Sequence, residues 1–382
     1  MASAGSLEQA ERIHNRLAGV PPTSETRAEM ASMIDAGNAS GAAFIAMDHP
    51  DFYRTTLKNF ATPWTNRDFD IFAPLNDYTA TVIGIVRDDV DVREILTGST
   101  IYVGDGSNGE PPWSPTDNEH YEALERAGAD LADVLVARDQ TSLTGVPADA
   151  TAGVMTTRAG ARAFFYAGTN RAMFRYTLVN HLCRDLEQVA DTTLAPDRIR
   201  QDVTRAPGGD SRVFRNNCVG CHSGMDPLAQ AFAYYSFEYD RDADPEGDRG
   251  RLVYNREGDI DPETGTRVVA KYHFNENNFP AGYVTPDDGW TNYWRTGGNR
   301  SLGWDPSLPG EGEGAKSMGR ELANSEAFAS CQVQKVFRAV CLRPPADTAD
   351  AAQVQAMVAS MKSSGYQLRQ TFADAAVYCM GE

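Results

Sequence analysis

Apolar residues along this 382-residue chain recur mostly with helical period. Leu7, Ala10, Ile13 and Leu17 form one stripe over 6–18, which Pro21-Pro22 ends. Similar patterns predict helices over 24–36, 40–47, 52–60 and 76–87, the last carrying Tyr78, Val82, Ile85 and Val86. A turn of helix is expected at 92–96, a strand at 99–103 and a Gly/Pro/Ser-rich loop at 104–117. A longer helix should follow over 118–138. Residues 141–152 read as a linker between a helical N-terminal domain, 1–140, and a second domain, 153–382.

In the second half, helical spacing predicts helices near 158–166, 171–189, 227–237, 317–342, 349–363 and 366–378. Residues 238–315 break the pattern. Acidic turns at 240–248 and 259–265 flank 251–255 and 266–272, which read as the strands of a hairpin. The stretch 275–314, rich in Asn, Gly, Pro and Trp, is too long for a plain connection and is expected to cover a functional site. Alternate acids at 240, 242 and 244 resemble a calcium loop, but Arg251 stands at the twelfth position where a bidentate Glu belongs, so an EF-hand is not expected. The predicted fold class is mainly α, with a small β-hairpin and loop insertion at about 238–315.

Composition narrows the function. The 53 Asp and Glu outnumber 35 Lys and Arg, for a net charge of -18. That argues against polyanionic partners such as nucleic acid or an anionic membrane and favours a basic partner or simple solubility. No apolar run approaches the roughly 18 residues that a membrane-spanning helix needs.

The chemistry concentrates at Cys218-Val219-Gly220-Cys221-His222. Two thiols three positions apart, followed at once by an imidazole, form the attachment signature of one c-type haem. Cys218 and Cys221 would bond the two vinyl groups as thioethers, and His222 would be the proximal iron ligand. Structural zinc normally needs a second Cys/His pair at short spacing, and none is present. A thioredoxin-type CxxC follows a strand, whereas 206–211 reads as a loop. A c-type haem requires export. The first six residues hold neither a basic nor an apolar signal region, so the chain is expected as the mature form of a periplasmic or secreted protein.

In an oxidising compartment the four remaining cysteines should pair. If three antiparallel helices close the chain, Cys341 and Cys379 end at the same side, which favours Cys341–Cys379 with Cys183–Cys331. Cys331 and Cys341, on one helix, would lie about 15 Å apart, too far to bond.

The segment Cys218-Val-Gly-Cys-His-Ser-Gly-Met-Asp-Pro-Leu228 and the segment Leu322-Ala-Asn-Ser-Glu-Ala-Phe-Ala-Ser-Cys331 resemble the large monohaem c-type cytochromes common in planctomycetes and some proteobacteria. The resemblance covers about residues 150–380. It implies a cytochrome c-like helical haem domain and export more than any substrate. The hairpin and Trp-rich stretch depart from the family pattern.

Asp226-Pro227 reads most simply as an N-cap and first helical residue, with a bond from Asp226 to the free nitrogen of His222 as the alternative. Phe232, Tyr234, Tyr235 and Phe237 are candidates for a porphyrin wall or an ordinary core. The sixth iron ligand separates electron transfer from small-molecule chemistry. Met318 is the favoured candidate, ahead of Met155, Met173, His181 and His273; Met225 is too close to His222 to cross the ring. The expected function is single-electron transfer with a redox partner. The alternative is a peroxidase-like or oxygen-using haem enzyme with an open distal site and a small-molecule substrate.

Overall fold

The computed structural model describes residues 4–166 and 169–381 and is mainly helical, as its periodicity predicts. Among the described residues the β-structure is three two-stranded antiparallel sheets. Several helices begin where short polar side chains accept orphan backbone N–H groups. Asn76 accepts from Thr79, Thr157 from Gly160 and Ser325 from Phe328, all at 3.0–3.1 Å.

Helix Asp77–Arg87 lies deepest, with every residue but Arg87 buried. Its apolar residues run all round, which suits a helix surrounded by others. Helices Ser6–Leu17, Ser24–Asp35 and Ala39–Met47 pack together, and the first and third also pack against the C-terminal helix Leu368–Cys379. The chain ends are further tied by Gln9 Nε2 donating to Gly381 O at 2.8 Å and Arg16 Nη1 donating to Val340 O at 2.7 Å. Most buried apolar residues from Ala10 to Ala376 form one cluster, with Ala233, Tyr234, Val268, Val269 and Tyr272 in a smaller one, so apolar residues on both sides of 141–152 share the main core.

The C-terminal helices Glu326–Cys341, Thr348–Ser363 and Leu368–Cys379 pack on one another. Both expected disulfides are present, Cys183–Cys331 with Cα atoms 5.3 Å apart and Cys341–Cys379 at 5.5 Å. Helix Glu326–Cys341 is therefore bolted within its second turn, at Cys331, and at its last residue, Cys341. Helix direction favoured Cys341–Cys379 and left Cys183–Cys331 as the remaining pair, and both form.

Several local expectations are corrected. Residues 118–138 are not one helix: Glu119–Arg126 and Leu131–Val134 are helical, and Leu135–Asp139 pairs as a strand with Thr100–Gly104. Helix Arg171–Leu182 stops at Cys183, which takes a left-handed φ of 53° where the disulfide holds it. Residues 317–342 form two helices, Gly314–Ala323 and Glu326–Cys341, because Ser325 caps a new start. Strand Arg251–Tyr254 does form, but its partner is Tyr235–Glu238, not 266–272. The end predicted as helix 227–237 is thus partly extended.

The carboxylates of the acidic turns are engaged by their own backbone. Asp240 accepts from the N–H groups of Asp242 and Ala243, and Asp244 from those of Asp248 and Arg249. Among the described residues no helix is long and apolar enough to cross a membrane.

Candidate functional site

Cys218 closes a π-helical turn, Phe214–Cys218, and helix Val219–Ala229 follows directly. Helical spacing puts Cys218, Cys221 and His222 on one side, and Gly220 and Gly224 on the other. The glycines face the protein. A Cβ on Gly224 would stand 2.0 Å from Trp294 Nε1, and one on Gly220 would stand 3.3 Å from Ala190. Only a bare Cα at 224 leaves room for the Trp294 indole against the helix. The two thiols and the imidazole are left partly exposed.

Four of the six cysteines are consumed by disulfides, and Cys218 and Cys221 are the free pair. Burial, together with Glu187 and Asp185, pushes the Cys221 thiol up. That runs against a reactive thiolate, which needs a positive setting. Among the described residues no group of three or more His, Cys, Asp or Glu side chains converges as a metal-holding cluster.

His222 and Asp226 lie one turn apart, with Nδ1 3.1 Å from Oδ1. Asp226 is fully buried and paired with the Arg171 guanidinium, Nε to Oδ1 at 2.7 Å and Nη2 to Oδ2 at 2.9 Å. Burial alone would raise the Asp226 carboxyl, but Arg171, His222 and Arg200 outweigh it and hold it well below the usual carboxylate range. An ionised carboxylate only accepts, so Nδ1–H of His222 donates. The hydrogen bonds of the described residues engage Nδ1 and leave Nε2, on the partly exposed ring edge, for a ligand.

Asp226 is therefore not an N-cap. It sits inside helix Val219–Ala229, and Pro227 follows within the same helix. A residue before proline ordinarily avoids helical angles. Here the ion pair with Arg171 and the close packing of Gly220 and Gly224 override that local preference. Arg171 also forms a second fork with Asp202, at 2.6 and 2.9 Å. Arg200 donates its backbone N–H to Asp226 Oδ2 at 3.3 Å, and its guanidinium lies 4.6 Å from the Tyr272 ring centre. The i, i+4 spacing of His222 and Asp226 is legible in the sequence. Arg171, Asp202 and Arg200 come from other segments, and nothing in their local pattern marks them.

Of the candidate distal ligands, Met173 and His181 sit on helix Arg171–Leu182, which packs on the CxxCH helix. Met318 and Met155 are buried in the core, and Gly319, beside Met318, presses on the Leu96 carbonyl and the Met155 methyl. Helix Gly314–Ala323, which carries Met318, packs on the turn Gln230–Phe232 that follows the CxxCH helix and on helix Glu94–Thr97. Met173 is also buried. His181 Nε2 is 2.9 Å from the Tyr78 hydroxyl, and burial, with Lys335 nearby, pushes its pKa well down. His273 Nε2 donates to Thr285 O at 3.2 Å, beside a cavity of about 880 Å³ that Cys218, Cys221 and His222 do not line.

The aromatic residues after His222 serve the protein core. Phe232 and Tyr235 pack on Phe165 with ring centres 5.4 and 5.8 Å away, and the Tyr235 hydroxyl donates to Ala150 O. Trp290, Trp294 and Trp304 are buried, and Trp294 backs the glycine side of the CxxCH helix.

These residues fit a covalently held haem. The free thiols share a helix side with an imidazole whose inner nitrogen is anchored and whose outer nitrogen is open. No family model matches the chain, and no curated protein or solved structure does either.

Proposed function

We propose that the protein carries one c-type haem, bound through Cys218 and Cys221 with His222 as axial ligand, and transfers single electrons to or from a redox partner outside the cytoplasm. The carrying observation is the state of the helix face around residue 222. Two thiols remain unpaired in a chain whose other cysteines are oxidised, beside an imidazole whose Nδ1–H is fixed by a buried carboxylate. When bound, haem supplies one-electron redox chemistry. The chain supplies the rest. Asp226 holds the imidazole as its Nδ1–H tautomer, so the lone pair of Nε2 points away from the carboxylate, and such outer hydrogen bonds raise ligand basicity. The acidic surface, net -18, favours docking of a basic partner.

A second reading, a haem enzyme with an open distal side and a small-molecule substrate, is favoured by one observation. Met318, Met155, Met173 and His181 are all buried in the core. The burial of Met318 counts against it as the sixth ligand, since its sulfur would have to leave close packing.

The test is covalent attachment in protein exported from a host with cytochrome maturation. A haem-stained band should survive denaturing electrophoresis and vanish in the Cys218→Ala, Cys221→Ala variant. No stain in the wild type refutes the proposal. An oxidised spectrum with a sulfur-to-iron band supports Met ligation and electron transfer. High-spin features with rapid carbon monoxide binding to the reduced protein support the second reading.

A further inference from the structure

We propose that Arg171 is a positioning residue for the axial histidine, acting through Asp226. The inference rests on the haem reading above.

Arg171 uses its entire guanidinium. Nε and one Nη2 proton go to Asp226, one proton from each Nη goes to Asp202, and the last Nη1 proton goes to Thr169 Oγ1 at 3.1 Å. Five N–H groups make five bonds, so the planar fork is held in one orientation. Asp226 Oδ1 is thereby shared between Arg171 Nε at 2.7 Å and His222 Nδ1 at 3.1 Å. Oδ2 is taken by Arg171 Nη2 and the Arg200 backbone. The carboxylate cannot rotate toward or away from the imidazole while the fork is in place.

Charge is apportioned by the same contacts. Asp226 and Asp202 alternate with Arg171 and Arg200, two anions against two cations, with Arg200 Nε 3.9 Å from Asp202. His222 therefore faces a carboxylate whose negative charge is already shared with a cation. Removing the fork would give the His222 hydrogen bond the full carboxylate. That strengthens electron donation by the imidazole and favours the oxidised iron.

The experiment measures the midpoint potential of the purified haem protein for Arg171→Gln and Arg171→Lys, each with Asp226 intact and in an Asp226→Asn background. Arg171→Gln should lower the potential by at least tenfold in the reduction equilibrium, ~59 mV for a one-electron couple. In the Asp226→Asn background the shift should fall to less than half. Arg171→Lys retains charge but loses the fork, and serves if Arg171→Gln fails to fold. It should change the hyperfine-shifted His222 ring resonances of the oxidised protein with Asp226 intact and leave them unchanged in the Asp226→Asn background. A simple field or packing role predicts equal effects in both backgrounds, and that result would overturn the proposal. A wild-type protein that never stains for haem overturns both this inference and the reading it rests on. Equal shifts in a protein that does stain overturn this inference alone.

Discussion

The two disulfides close loops of very different length, so their loss should be unequal. Cys183–Cys331 spans 148 residues and Cys341–Cys379 spans 38. With the chain-entropy relation, cross-linking the longer loop stabilises by about 5 kcal/mol and the shorter by about 4 kcal/mol. The loops do not overlap, so the two contributions should add, to about 9 kcal/mol. That sum falls within the whole stability of a typical protein, roughly 5–15 kcal/mol, so the fully reduced chain should not remain folded. The perturbation is a pair of double variants, Cys183→Ala with Cys331→Ala and Cys341→Ala with Cys379→Ala, alongside the wild type with and without reductant. Urea unfolding followed by fluorescence of the five tryptophans reads the midpoint. The first pair should lower it more than the second, and the reduced wild type should be unfolded without urea. Equal midpoints for oxidised and reduced protein, or a larger loss for the shorter loop, would refute the reasoning. The result bears on compartment too, because a chain dependent on both bonds needs an oxidising one.

Two further outcomes follow from the packing. Gly224→Ala drives a methyl into the fully buried Trp294 and should cost roughly 1–3 kcal/mol and reduce the yield of haem-stained protein, whereas Gly220→Ala, whose methyl would stand 3.3 Å from Ala190, needs a shift of only a few tenths of an ångström and should cost less, under about 1 kcal/mol; urea midpoints and stain intensity check both. Burial, reinforced by Arg241, pulls the Lys271 ammonium down to about 7, so the folded chain binds fewer protons than the unfolded chain between about pH 7 and 10. Stability from this group therefore rises with pH across that window and is lost as pH falls through 7. Lys271→Met should flatten the slope of urea midpoints measured at pH 7, 8 and 9, and an unchanged slope would sink the assignment.

The sequence by itself determined much of this protein. Helical period reports which residues must face a core, and it located the N-terminal helices, the buried helix Asp77–Arg87 and the last two helices within a few residues. Helix direction then gave Cys341–Cys379, since the first and third of three alternating helices end on the same side, and left Cys183 to pair with Cys331. CxxCH spacing picked out Cys218, Cys221 and His222, because three groups on one helix side need no distant contact to be near each other. Tertiary structure alone decided whatever depended on a partner far along the chain. Leu135–Asp139 becomes a strand only because Thr100–Gly104 offers it an edge, and Tyr235–Glu238 pairs with Arg251–Tyr254 for the same reason. Trp294 backs the CxxCH helix because Gly224 leaves it room. Asp226 looked like a cap before proline, a local reading. A buried carboxylate must find a counter-charge, and Arg171, 55 residues earlier in the chain, supplies it and turns Asp226 toward His222.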